Sequence, residues 1–324
     1  MSKVLITINE DRSLTTENTF GVTYKVDEHD CLDYARGLAS LGSEVYFVNW
    51  QDFDGHQFAR MFHHNGRRFL SPPMPLEEMD LIWVYQMEGF YFDLPRFFQM
   101  VERFKAACPL VINDPATIRH NTDKMYLIEL QEAGAGVIPT RQCDDVFRER
   151  LSRGERFVLK PRYGERGRGV ILVKSLNDVE QISGKEEQYL AQDFMPSIRH
   201  GEKSLVFLGL EYHHAVLKRP CPSNPDEFRC NESRGGTVAV YEPTAAELDY
   251  ARNVLKTYEA FGCPVNYSRI DFVDSANGPA LIEAELLNPA AFANYSKKGP
   301  QFGVKVAEYM HRKMKQAGVR ASRR

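Results

Sequence analysis

The sequence lacks the features that mark several classes of protein. It has no run of about 20 apolar residues and no signal-peptide pattern at its start, so we expect a cytoplasmic protein with no membrane partner. Its six cysteines form no CxxC pair and have no histidine at zinc spacing, so we expect reduced thiols. The formal net charge of −3 gives no basic footprint for nucleic acid, which excludes that partner class.

Two common nucleotide-binding motifs are also missing. No GxGxxG motif follows a strand pattern, so a Rossmann dinucleotide fold is not supported, and the absence of GxxxxGK[ST] excludes the P-loop class. None of the nine histidines lies in a motif that would activate a nucleophile. Chemistry in this chain must therefore depend on other groups of residues.

The first third of the chain alternates between strand and helix patterns. Apolar runs typical of buried strands occupy residues 3–8, 44–49, 80–84 and 110–113, and amphipathic helical patterns separate them. The first of these helices has Asp27 or Asp30 as a possible N-cap. This alternation predicts an α/β domain with a parallel sheet, which ends at about residue 115.

The most polar strand pattern lies near the other end, in residues 268–289. Two alternating runs flank an Asn-Gly-Pro turn and predict a β-hairpin. Arg269 and Asp271 share one face of the first strand, and Glu283 and Glu285 share one face of the second. Carboxylates without thiols suit Mg²⁺ or Mn²⁺, whereas the alternative is a solvent-facing row of charges.

The register of this hairpin decides whether its carboxylates can meet. A two-residue turn at residues 277–278 would pair Asp271 with Ala284, which turns Asp271 away from Glu283 and Glu285. If the three carboxylates share a metal ion, the loop must be longer or the hairpin must contain a bulge.

A second hairpin pattern, FVLKPRYGERGRGVILVK, covers residues 157–174. Its glycines permit close approach of backbone N–H groups to an anion, and Lys160 and the neighbouring arginines add positive charge. The pattern predicts either a phosphate-binding loop or a mobile surface hairpin. A helical pattern over residues 117–132 precedes it with Lys124 on its polar side, and residues 228–240 are predicted to form a basic loop.

Taken in order, these elements resemble the ATP-grasp superfamily, and within it bacterial glutathione synthetase and glutathione-synthetase-like ligases. Five segments carry the resemblance: NDPATIRHNTDK, VLKPRYGERGRGV, LAQDFMPSIRHGEKS, FRCNESRGG and RIDFV…LIEAELLNP. The last, with its E-x-E-L-x-x-P form, is similar to the subgroup that includes D-cycloserine-forming ligases. The resemblance implies an ATP-grasp fold with an N-terminal βαβ domain (1–115), a central lid subdomain (116–191) and a C-terminal antiparallel-sheet subdomain (192–324).

The resemblance also implies ATP and Mg²⁺ or Mn²⁺ as cofactors and assigns roles to individual residues. The implied nucleotide-binding residues are Lys124, Lys160, Gly164, Gly167, Arg168, Gly169, Gln192, Asp193, Phe194 and Glu202. The implied catalytic residues are Arg219, Arg229 and Asn231. Asp271, Glu283 and Glu285 would hold the metal, and Asn288 is an alternative to Glu285.

The activity implied by the resemblance is ADP-producing ligation of a small-molecule carboxylate and an amine through an acylphosphate. The substrate would be an amino acid or small peptide, and the protein would be a dimer or tetramer. Two departures from glutathione synthetase leave the substrate open: Glu285 stands where that family has asparagine, and Ser204 where it has arginine. The alternatives are glutathione synthetase itself, a nucleotide-binding protein without ligase activity, and a ligase that modifies a peptide or protein.

Overall fold

The computed structural model describes residues 1–8, 31–50, 58–59, 62–64, 68–70, 74–295 and 301–318. The chain forms two compact units: the first unit combines Met1–Pro115 with Leu287–Arg324, and the second unit is Ala116–Leu286. The division into three parts with boundaries at residues 115 and 191 stays a prediction. Asp27 and Asp30, the predicted N-cap residues, lie outside the described residues.

Regular elements account for most of the described chain. The helices are α1 (Cys31–Ser40), α2 (Leu94–Ala107), α3 (Pro115–Thr122), α4 (Tyr126–Glu132), α5 (Asp145–Ser152), α6 (Leu176–Val179), α7 (Ala245–Ala260) and α8 (Gln301–Gln316). The strands are β1 (Ser2–Ile8), β2 (Ser43–Asn49), β3 (Phe58–Ala59), β4 (Phe62–His64), β5 (Arg68–Leu70), β6 (Met74–Pro75), β7 (Leu81–Trp83), β8 (Val111–Ile112), β9 (Thr140–Gln142), β10 (Phe157–Pro161), β11 (Ile171–Val173), β12 (Tyr189–Asp193), β13 (Glu202–Leu208), β14 (Glu211–Arg219), β15 (Thr237–Tyr241), β16 (Tyr267–Ser275) and β17 (Gly278–Glu285). No helix in the described ranges is long and apolar enough to span a bilayer.

The first unit contains a six-stranded sheet in the order β5-β4-β2-β1-β7-β8. Strands β2, β1, β7 and β8 are parallel, which confirms the parallel sheet predicted from the alternating pattern. Strands β4 and β5 extend it as an antiparallel hairpin at one edge. The inner strand β1 is buried at six of its seven residues, as expected of a strand covered on both faces.

Two glycines allow helices α1 and α8 of this unit to pack closely. A Cβ atom on Gly37 would collide with the carbonyl group of Gly303, and a Cβ atom on Gly303 would collide with the carbonyl oxygen of Asp33. Since both colliding groups belong to the backbone, neither can move aside cheaply.

We expect Gly37→Ala to lower the free energy of unfolding by about 1–3 kcal/mol, because the added methyl group must separate the two helices. Without that collision, alanine in a helix would be favoured by roughly 0.5–1 kcal/mol. Chemical denaturation followed by circular dichroism measures the change. Arg36→Ala, at an exposed site in the same helix, is the control. An alanine variant at Gly37 as stable as the wild type would contradict this packing.

The second unit contains two antiparallel sheets. The four-stranded sheet, in the order β11-β10-β12-β9, carries the glycine hairpin, and the five-stranded sheet, in the order β15-β14-β13-β16-β17, carries the acidic hairpin. Helices α4 and α7 contribute Tyr126, Leu255 and Tyr258 to a core that also includes Phe207 and Phe272 of the larger sheet. This core supports the strands that carry the charged residues described below.

Two local predictions within this unit are wrong. The helix predicted over residues 117–132 is divided into α3 and α4, because the intervening residues make other bonds: Lys124 N–H donates to the Arg162 carbonyl oxygen, and Asp123 accepts from the guanidinium of Arg162. The loop predicted over residues 228–240 contains strand β15, whose β-branched sequence pairs with β14.

Candidate active site

A bulge in the acidic hairpin brings its carboxylates to one face of the sheet. Ser275 pairs with Gly278, so the two turn residues come one position earlier than the Asn-Gly signal predicts. The register then shifts between Asp271 and Phe272, and Asp271 lies opposite Glu283. The sequence argument required a longer loop or a bulge, and the structure has the bulge. Its position leaves Ile282 as the extra residue between the two registers.

Asp271 is buried among cations on this face. Its carboxylate accepts bonds from Arg269 Nε and Nη2, each at 2.8 Å, and lies 3.5 Å from Lys218 Nζ. Burial by itself would raise the pKa of Asp271, but Arg269 and then Lys218 hold that pKa well below its usual range. Ser204 lies opposite Asp271 in the ladder with β13. Asp271 is thus ionised at neutral pH.

Lys218 extends the cluster to Glu202, and sequence reasoning missed it. Its ammonium group pairs with Glu202 as well as Asp271, which raises the pKa of Lys218 in spite of burial. Burial also raises the pKa of Glu202, although Lys218 opposes this. The predicted residue was Arg219, but it is exposed and donates to the His200 carbonyl oxygen. Successive residues of a strand face opposite sides of its sheet, so strand alternation could have shown that Lys218 and Arg219 cannot both face the cluster.

Two further lysines approach Glu283 from other elements of the unit. Lys124, between α3 and α4, donates to the Gly164 carbonyl oxygen at 2.6 Å and lies 3.4 Å from Glu283 Oε1. Lys160 of β10 donates to the carbonyl oxygen of Ile282, the bulge residue, at 2.9 Å. Burial, aided by the charge of Lys124, lowers the pKa of Lys160 to about 8 against the attraction of Glu283. Lys124 and Lys160 in turn lower the pKa of Glu283 despite its burial.

The three predicted metal ligands share this face but do not converge. In the described part of the chain, no group of three or more carboxylate, imidazole or thiol side chains could hold a metal ion. Asp271 is paired with arginine and lysine, Glu283 with lysine, and Glu285 lies opposite Arg269 in the ladder. The all-oxygen donor set nevertheless fits Mg²⁺. Asn288, the alternative ligand, belongs to the first unit, and the metal assignment stays a prediction.

The glycine hairpin forms as predicted, with β10 and β11 paired on either side of its loop. Gly164 and Gly169 have positive φ angles of 155° and 69°, and Arg168 is exposed. Gly167 combines a φ of 65° with close packing, since a Cβ atom there would lie 3.1 Å from Asn231 Oδ1. Its backbone conformation and its contact both favour glycine.

Arg229 and Asn231 lie against this glycine loop. The guanidinium of Arg229 makes two bonds of 2.7 Å to the buried Glu227 carboxylate and reaches the carbonyl oxygens of Gly167 and Val170 at 3.4 Å. Arg229 lowers the pKa of Glu227, so this pair is ionised. The structure therefore brings two of the three predicted catalytic residues to the predicted phosphate loop.

Residues 192–194, three of the predicted nucleotide-binding residues, lie at the end of strand β12. Gln192 is buried and donates to Thr140 Oγ1 at 3.0 Å. Asp193 pairs with Arg150 at 2.9 Å, and the ring of Phe194 stacks edge-on against another aromatic ring. These side chains are engaged within the protein, so contact with a nucleotide through them stays a prediction.

The sequence comparisons identify a family and relatives that match part of the chain. Residues 123–298 match the family described as prokaryotic glutathione synthetase, ATP-grasp domain. A glutathione synthetase of Agrobacterium fabrum is 28% identical over 193 residues, which are 57% of this chain and 59% of that protein. A glutathione synthetase of Thermosynechococcus vestitus is 27% identical over 62% of each chain. The chain thus spans about three-fifths of the length of these relatives.

The comparison with solved structures covers nearly the whole chain. D-cycloserine synthetase DcsG superposes with a TM-score of 0.73 at 17% identity, over 97% of this chain and 100% of that one. At this identity the likeness establishes the fold, and it confirms the predicted ATP-grasp architecture. The family match covers more than half of the chain. The chain therefore belongs to the prokaryotic glutathione synthetase ATP-grasp domain family.

Proposed function

We propose that the protein is an ATP-dependent ligase that joins a small-molecule carboxylate to an amine and releases ADP and phosphate. The observation that supports this most directly is the cluster around the hairpin bulge. Lys124 and Lys160 lie beside Glu283, next to a glycine loop, while Asp271 lies opposite Glu283 in the ladder. Ammonium groups beside carboxylates and a glycine loop are suited to binding a nucleotide's phosphates together with a divalent cation.

The proposed mechanism assigns charge compensation to the cluster. Lys124, Lys160 and the glycine loop would bind the phosphates of ATP, and Arg229 with Asn231 would stabilise the phosphoryl group during its transfer to the substrate carboxylate. Mg²⁺ bound by Asp271, Glu283 and Glu285 would supply further neutralisation of phosphoryl charge. No histidine is required, because an amine in its neutral form is already nucleophilic towards the acylphosphate.

Binding of the cation requires a change of partners in this cluster. The ammonium groups of Lys124 and Lys218 and the guanidinium of Arg269 neutralise the carboxylates in the structure. Phosphate oxygens would draw Lys124 away from Glu283, which frees that carboxylate for a metal ligand role. Nucleotide and cation are therefore expected to bind together more tightly than either binds alone.

An ADP-release screen tests the proposed function. Amino acids and dipeptides are supplied singly and in pairs, and ADP is measured by a coupled assay. ADP release that depends on both a carboxylate and an amine supports the ligase. If the protein binds ATP but no pair of compounds leads to ADP release, a nucleotide-binding protein without ligase activity is favoured instead. Glutathione synthetase proper, which the curated relatives favour, is tested by γ-glutamylcysteine with glycine.

We expect the glycine loop to become protected when nucleotide binds, because an acylphosphate must be kept from water. Arg166 and Arg168 are exposed in this loop, so trypsin can report its accessibility. Mg-ATP should slow cleavage after both arginines. Cleavage after Arg153, which lies outside the loop and has 66% of its side chain exposed, serves as the control. Equal rates with and without Mg-ATP would contradict a closing loop.

The remaining assignments belong to this proposal. They are an amino-acid or small-peptide substrate, a dimer or tetramer and a cytoplasmic location. Reduced cysteines accord with the last of these, since the five cysteines among the described residues that can be assessed are free thiols.

A further inference from the structure

The strand that carries both glutamates is at the edge of its sheet. β17 pairs on one side with β16, and it is the last strand in the order of the five-stranded sheet. An edge strand leaves N–H and C=O groups without a neighbouring strand to bind them. Near Leu281, backbone groups of residues 136–138 fill this position. Beyond it, at Ala284 and Leu286, side chains do so.

Asn121, near the end of α3, provides most of these side-chain bonds. Its Oδ1 accepts from Leu286 N–H at 2.8 Å, and its Nδ2 donates to the Ala284 carbonyl oxygen at 2.8 Å. Tyr126 Oη accepts from Ala284 N–H at 3.2 Å. The amide of Asn121 thus presents one donor and one acceptor to the strand, as the peptide group of an adjoining strand would.

Asn121 is also packed against the core of the unit, where it makes a third bond. The residue is buried, and its Nδ2 also donates to Tyr258 Oη of α7 at 2.9 Å. Tyr258 and Tyr126 are both buried in the core of the unit. Asn121 therefore connects a rigid core to the backbone on both sides of Glu285.

We propose that Asn121 is a positioning residue that sets the orientation of Glu283 and Glu285 for binding a divalent cation, an inference that rests on the proposed function. Ala284 lies between the two glutamates, and Leu286 follows the second. A backbone fixed at both points restricts the directions in which the two carboxylates leave the strand. An aspartate in place of Asn121 would lack the N–H donor that faces the Ala284 carbonyl oxygen. A leucine there would lack both the donor and the acceptor.

Asn121→Leu, which keeps the number and branching of side-chain heavy atoms and removes both bonds to β17, tests this proposal. Tyr258→Phe is the matched control, because it removes one buried bond to Asn121 and keeps the two bonds between Asn121 and β17. Two quantities are measured with ADP present: the affinity for Mn²⁺, by electron paramagnetic resonance, and the hydrogen exchange of the Leu286 amide. Asn121→Ala provides the same measurements should the leucine variant fail to fold.

We expect both Asn121 variants to bind Mn²⁺ about 10-fold to 100-fold more weakly, the range typical of residues that orient metal ligands. Leu286 exchange should be faster in these variants. Tyr258→Phe should keep its Mn²⁺ affinity even if it loses as much thermal stability as the Asn121 variants. Unchanged Mn²⁺ affinity in both Asn121 variants, with Leu286 exchange increased, would overturn the positioning role alone. Failure of the wild-type protein to bind Mn²⁺ with ADP would overturn the metal assignment of the proposed function as well.

Discussion

Replacement of Glu283 by glutamine is expected to lower ligase turnover by about 100-fold or more, because it removes a charge proposed to hold the divalent cation. The side chain keeps its size, and its ion pair with Lys124 spans 3.4 Å with 29% of the Glu283 side chain exposed. Loss of this partly buried pair should cost between the roughly 1 kcal/mol of an exposed pair and the roughly 3–5 kcal/mol of a fully buried one. Turnover at saturating Mg-ATP and the free energy of unfolding are measured on the same preparation.

A matched control for this variant lies on the same hairpin. Asp274→Asn also neutralises a carboxylate, but Asp274 has 63% of its side chain exposed and pairs with Lys203. It should leave turnover unchanged. If Glu283→Gln turns over as fast as the wild type, Glu283 does not hold a catalytic metal.

Asp271 is less suitable for this experiment than its position suggests. Sequence reasoning alone predicts that Asp271→Asn lowers turnover far more than stability. In the structure Asp271 is 1% exposed and pairs with both Arg269 and Lys218, so its removal takes a bonded carboxylate away from two buried cations. Breaking a buried pair typically costs about 3–5 kcal/mol. A lower activity of that variant would therefore mix loss of a ligand with loss of folded protein.

ATP affinity is expected to fall as the pH rises through about 8, the pKa to which burial lowers Lys160. Below this pH the ammonium group that would bind phosphate is already protonated, and the affinity should be constant. Above it, binding must take up a proton, so the dissociation constant should rise by up to about tenfold for each pH unit. Isothermal titration calorimetry at fixed free Mg²⁺ measures the profile.

Lys160→Met separates this effect from other titrating groups. The variant should bind ATP more weakly at pH 7 and show no rise in the dissociation constant above pH 8. Unfolding does not complicate the measurement through this residue. Its folded-state pKa lies below the ordinary 10.5, so the unfolded chain binds more protons between pH 8 and 10.5 and the contribution of Lys160 to stability increases across that window. A wild-type profile that is flat from pH 7 to pH 9 would exclude Lys160 as a phosphate ligand.

The elements with strong local patterns could be predicted from the sequence. Alternation of polar and apolar residues identifies both hairpins. The requirement that the carboxylates share a face predicts a longer loop or a bulge, and the ladder contains the bulge. Runs of apolar residues identify the parallel strands β1, β2 and β7. In each case the pattern follows from burial of one face or of both, which the order of residues records directly.

Features that depend on tertiary contacts could not be predicted in this way. The division of the helix at Asp123 follows from the guanidinium of Arg162, which comes just after β10 and is distant in sequence. Strand alternation shows that Lys218 and Arg219 face opposite sides of β14, but which of the two sides carries the cluster is decided by tertiary contacts. Asn121 has an ordinary helical context, and its role exists only because an edge strand lies beside it.

The carbonyl group of Ile282 connects the two sheets of the second unit because the bulge leaves that residue outside the regular ladder, where Lys160 can reach it. The number of residues between Asp271 and Glu283 is therefore under stronger constraint than their identity. Deletion of Ile282 would give a regular ladder in which Glu283 still lies opposite Asp271, but it would deprive Lys160 of its acceptor. Conservative substitutions in the same stretch would leave that acceptor in place, so natural variants of this hairpin should differ in composition and agree in length.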